Sequence, residues 1–177
     1  MGIAVIATIV ESLLAITRPR FFETELGFQG ELLAELRARL ANVGLPGDAV
    51  VEQEYQKRLR DHGIDVRPDL IVHIQTPAGG NRRQGNFAVF ELNRSAGPHE
   101  ASEDFENLDT VLQALDYPIG VFINIASSRT QAASYRGPFK DRIHFLAVRL
   151  RNGQVHLKHA YYEGEAVVEE RRVREAG

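Results

Sequence analysis

The sequence predicts one α/β domain with a central mixed sheet flanked by helices. Three observations lead there. Leu32, Leu33, Leu36 and Leu40 recur at three- and four-residue spacing, and so do Phe105, Leu108, Val111, Leu112 and Leu115. Each set forms an apolar stripe along a helix. Between the two stripes lie short runs rich in valine, isoleucine and phenylalanine, separated by turn residues, which read as strands. After the second stripe comes Gly120-Val121-Phe122-Ile123-Asn124-Ile125, a nearly continuous apolar run. That is the pattern of a buried strand in a βαβ unit.

Taken in order, the run 3–10 is apolar but lacks a basic leading segment and is interrupted by Glu11. It is also too short to span a bilayer, so it reads as a buried helix continuing to Ile16 and stopped near Pro19. The first amphipathic helix covers 29–40 and ends in Asn42-Val43-Gly44-Leu45-Pro46-Gly47. Residues 49–58 alternate and read as a strand, turned by Asp61-His62-Gly63. Two further strands follow, at 67–73 and 86–93. Ser95-Ala96-Gly97-Pro98 breaks the last of these, and Ser102-Glu103-Asp104 offers the second helix its start. Residues 127–138 read as loop or short helix. A late hairpin pairs 142–150 with 154–162 through Arg151-Asn152-Gly153. The domain is placed at 1–163, and 164–177 is dense in charge, a tail or frayed helix.

The strands at 67–73 and 86–93 each carry one carboxylate among apolar residues, Asp69 and Glu91. A hairpin centred on Gly80 sets them directly opposite each other, because 69 and 91 average to 80. Opposed residues of an antiparallel pair have Cβ atoms about 5 Å apart on one face. Two carboxylates so placed repel unless a cation lies between them, and oxygen ligands suit magnesium. Asn93, two residues on, shares the Glu91 face. The plainer reading of Asp69 is an ion pair with Arg67 or Arg58. A buried glutamate without a partner is rare, which favours the site reading for Glu91.

Pro68-Asp69 on one strand and Glu91-Leu92-Asn93 on the next resemble the PD-(D/E)XK nuclease superfamily, with asparagine where that motif has lysine. The element order over about 20–125 matches its αβββαβ core. The resemblance implies a restriction-endonuclease-like fold with an additional C-terminal β-hairpin, and magnesium-dependent hydrolysis of DNA phosphodiesters, manganese serving as substitute. It implies Asp69 and Glu91 as metal ligands, joined by Glu31 from the first helix or by Glu35 one turn on. The motif lysine positions and polarises the attacking water. Asn93 can orient a water but brings no charge, and losing one such group costs roughly 3–4 kcal/mol of barrier. Lys57 falls opposite Asp69 if the preceding turn centres on Gly63, and would supply that charge. A slip of one residue puts Gln56 there instead. The alternative is a catalytically inactive module that keeps the fold and binds DNA or a protein partner.

Composition bounds these readings. The chain has 177 residues, a 44% apolar fraction, a net charge of −3 and no cysteine. That excludes thiolate metal sites and cysteine nucleophiles and fits a cytoplasmic setting. Arginine outnumbers lysine, and cations cluster at Lys57-Arg58-Arg60, Arg82-Arg83 and Arg149-Arg151. DNA is the expected partner, a homodimer is allowed for, and no membrane is expected. The six histidines make no metal set. His156 and His159, for example, fall on opposite faces of a strand. No Walker loop, dinucleotide glycine fingerprint or Gly-X-Ser-X-Gly elbow is present.

Overall fold

The computed structural model describes residues 2–42, 45, 49–53, 64–75 and 83–176. Lys57, the turn around Asp61–Gly63 and the Thr76–Arg82 connection lie outside them.

Among the described residues, seven strands form one sheet in chain order: β1 (Ala49–Gln53), β2 (Leu70–Ile74), β3 (Asn86–Arg94), β4 (Gly120–Ile125), β5 (Ile143–Arg151), β6 (Gln154–Glu163) and β7 (Ala166–Glu175). The pairs β3–β4 and β4–β5 are parallel, and all others are antiparallel. The sheet is therefore mixed, as the sequence predicts.

Period-2 alternation sends side chains to opposite faces. Leu70, Val72, Phe90, Leu92 and Ile123 share one buried cluster with helices α1 (Gly2–Ala15) and α2 (Glu25–Leu40). Ile71, Val89, Phe122 and Phe145 share the other with helix α3 (Pro98–Leu115). The link from β4 to β5 crosses the α3 face through a short 3-10 turn, Ala132–Ser134, where Ala132 and Tyr135 are buried. No helix among the described residues is long and apolar enough to cross a membrane.

Both amphipathic helices begin four residues before their expected starts. Thr24 caps α2, its hydroxyl accepting from the Gly27 amide at 3.1 Å. Gly27 and Gly30 inside the first turns weaken the propensity that would reveal this start. At α3, Pro98 occupies the first turn, where its missing N–H costs nothing. The Glu100 carboxylate accepts from the Gly97 amide at 3.1 Å. These two early starts bring Glu25 and Asp104 toward the end of β3.

The late hairpin turns at Asn152 (φ 51°) and Gly153 (φ 72°), the left-handed pair that a two-residue turn requires. The charge-dense segment expected as a tail or frayed helix is instead β7. It pairs with β6 along its whole length, yet nearly every one of its residues is exposed. It gains its order from the backbone ladder rather than from burial.

Candidate active site

Leu70 pairs with Phe90 and Ile71 with Val89, the register centred on residue 80. A bulge shifts it between Val72 and His73, farther from the carboxylates. Asp69 lies one residue before β2 and continues the ladder, its amide donating to the Phe90 carbonyl at 3.2 Å. Its charge acts on Glu91, the residue after Phe90. Its Oδ2 accepts from the Leu92 amide at 2.7 Å. Behind it, Gln29 on α2, itself buried, donates Nε2 to the Asp69 carbonyl at 2.8 Å.

Glu91 is only 6% exposed. Its Oε1 is buried and finds no hydrogen-bond partner among the described residues. Burial, then the charges of Asp69, Asp104 and Glu25, push its carboxyl up to about 10. Asp104, on the second turn of α3, is itself pushed up to about 6 by burial. The amide of Asn93 opposes that shift, donating to Asp104 Oδ2 at 3.0 Å. Burial raises Glu25 as well, against a hydrogen bond from the Arg94 amide. Arg94 sends its guanidinium away, Nε donating to the Phe22 carbonyl at 3.0 Å.

Four carboxylates from β2, β3, α2 and α3 therefore act on one another at the carboxyl end of β3. In sheets with parallel strands, sites form outside those ends. Among the described residues, no three histidine, aspartate or glutamate side chains gather tightly enough to hold a metal as they stand. The donor set is nonetheless all oxygen, and one of its oxygens is buried without a partner. That suits a hard cation such as magnesium, which uses one or two protein carboxylates and keeps waters for the rest.

Asp69 acts on Glu91, and Asn93 meets Asp104. The α2 carboxylate that acts on Glu91 is Glu25. Glu31 lies six residues beyond it, about 9 Å of helix rise. Glu35, its stand-in, is ion-paired with Arg39. Sequence reasoning missed Glu25, Asp104 and Gln29. The cap signal Thr24-Glu25 could have found the first. Nothing local marks Asp104 or Gln29, which reach the site through packing.

No protein-family model matches the chain. No curated protein matches it either. Among solved structures it is similar to NucC from E. coli MS115-1 in its cAAA-bound form, with a TM-score of 0.56 and 13% identity over 97% of this chain and 83% of that one. The fold is NucC-like. NucC from P. aeruginosa ATCC27853, also cAAA-bound, aligns with a TM-score of 0.46 and 11% identity, over 97% of this chain and 82% of that one. At these identities the likeness speaks to the fold alone. On this fold, the acidic cluster described above is the feature that calls for a chemical role.

Proposed function

We propose that this chain hydrolyses DNA phosphodiester bonds with a bound magnesium ion, for which manganese can substitute. The observation that carries the reading is the buried, unpartnered Oε1 of Glu91 among Asp69, Asp104 and Glu25. Uncompensated charge in that number is costly unless a cation joins it. Asp69 and Glu91 would hold the ion, with Glu25 in the helix role first given to Glu31. Once bound, the metal supplies a polarised phosphate oxygen and a water of lowered pKa.

The chain's own residues do the rest. The Leu92 amide and Gln29 hold Asp69 in place from two sides. Asn93 fixes Asp104 by its amide. Asp104, pushed up to about 6, has a proton affinity suited to accepting a proton near neutral pH. Lys57, outside the described residues, is proposed to bring the positive charge that Asn93 lacks.

One observation favours the second reading, an inactive module that binds DNA or a protein. One N–H of the Asn93 amide is given to Asp104, so the residue already serves to hold a helix carboxylate. The test is nicking of supercoiled plasmid with magnesium or manganese. Catalysis predicts nicking that Asp69→Ala and Glu91→Gln abolish. Salt-sensitive DNA binding by the parent protein, without nicking in either metal, would establish the second reading instead.

A further inference from the structure

The face of the sheet that carries Glu91 can be followed strand by strand through the register. Asn93 pairs with Asn124, Asn124 with Ala147, Ala147 with Lys158 and Lys158 with Arg171. These five residues form one lateral row on one face. In the next row Arg149 pairs with His156. The row before runs from Glu91 through Phe122, Phe145 and Ala160 to Glu169. The face is therefore acidic at β2–β3, apolar under α3, and basic at β5–β7.

At the basic end lies a hollow of about 140 Å³, walled by Arg149, His156, Lys158 and Arg171 and by Ser127 and Ser128 from the loop after β4. Glu169 reaches Lys158 at 3.0 Å and Arg171 at 3.5 Å, one carboxylate against two cations. The Nε of Arg149 is buried and has no hydrogen-bond partner among the described residues. The orphaned Arg149 N–H lacks an acceptor, and beside it lie two hydroxyls and two cations that share the single carboxylate of Glu169. Tetrahedral phosphate oxygens match such a set.

We infer that this hollow is a phosphate-binding site that grips the DNA backbone away from the cut. The inference rests on the nuclease reading for the identity of the polymer. Neighbouring strands lie about 4.8 Å apart, so Lys158 is about 14 Å and Arg171 about 19 Å from Asn93. A DNA strand carries one phosphate per ~3.4 Å of rise, which puts the gripped phosphate about four to six nucleotides from the one at Glu91. The acidic end repels DNA until a metal binds there. A basic grip at this distance anchors the backbone without competing for that metal.

The test is anisotropy of a labelled duplex of about 20 base pairs, long enough to span the row, measured in EDTA so that binding is read without cleavage. Arg149→Gln with Lys158→Gln should weaken binding about tenfold or more and make the slope of log K against log salt shallower by about two. Arg171→Glu, on an exposed strand that tolerates change, should weaken binding by a similar factor and serves if the double variant fails to fold. Unchanged affinity and slope in folded variants would overturn the inference, as would a parent that binds no duplex. A phosphorus NMR titration with inorganic phosphate supplies the other arm. Phosphate binding that the double variant loses while duplex binding stays intact would make the hollow a small-phosphate site and overturn the backbone role. A parent that binds duplex through the hollow but never cuts it defeats the nuclease reading alone. A parent that cuts while the variants bind normally defeats this inference alone.

Discussion

Asn93 on β3 donates its side-chain amide to Asp104 Oδ2 on α3 at 3.0 Å. The residue two past Glu91 on β3 therefore clamps a helix carboxylate beside it. A lysine there would face the same two acids and add the missing charge. Asn93→Lys should raise magnesium-dependent plasmid nicking on the order of a hundredfold. If Lys57 already supplies that charge, the gain should be small and Lys57→Ala should remove activity. Nicking rates of the two single variants separate a lost lysine from a relocated one.

Gln29 on α2 donates to the Asp69 backbone carbonyl. It holds the backbone and not the carboxylate, so its effect should pass through Asp69. Gln29→Leu is expected to lower manganese affinity about tenfold, the usual cost of losing a group that orients a ligand. The circular dichroism spectrum should stay native. Electron paramagnetic resonance titration reads the free metal directly. An unchanged affinity would mean the β2–β3 ladder alone positions Asp69.

Glu91 makes stability depend on pH in a definite direction. Its carboxyl is raised from 4.5 to about 10 in the fold. The metal-free folded chain holds a proton there that the unfolded chain releases. That contribution is whole below pH 4.5 and is lost as pH rises toward about 10. Glu91→Gln removes the titration and keeps the shape. In EDTA near pH ~8 the variant should melt at least about 3 °C above the parent, the equivalent of ~1 kcal/mol at this size. The gap should close on acidification and on adding magnesium to the parent. Calorimetry that finds the same gap at every pH would mean Glu91 is ionised in the metal-free fold.

Asn124 is fully buried and satisfies three backbone groups. Its Oδ1 accepts from the Ala96 amide at 2.9 Å, and its Nδ2 donates to the carbonyls of Ala96 at 3.0 Å and Arg129 at 2.9 Å. It fastens the exit of β3, where Ser95 adopts φ 61°, to the loop after β4. Asn124→Ala leaves those groups unsatisfied and should cost about 2–4 kcal/mol in urea unfolding. A loss under about 1 kcal/mol would mean that water replaces the amide.

The spacing of Asp69 and Glu91 about residue 80 was enough to specify the β2–β3 register, because a strand with one buried face tolerates no slip. The apolar run 120–125 and the Asn152-Gly153 turn were legible for equally local reasons. Glu25 and Asp104 were not. Apolar periodicity says which face of a helix is buried but not which end of it points at a site. The order of β7 was hidden because Glu169, Glu170, Arg171 and Arg172 break any alternation of apolar and polar residues. Its ladder with β6 leaves no trace in composition.

β7 is joined to β6 through ten residue pairs while sheltering almost no apolar surface. Local opening of such an edge exposes backbone and little else, so its free energy falls well below that of global unfolding. Amide exchange should therefore run through β7 first and reach β3 and β4 last. Fraying that starts at β7 crosses three strands before it reaches β3, which carries Glu91. Arg171 rides on the fraying side, so a polyanion seated there would slow exchange along β7 and act as a splint for the strand that grips it.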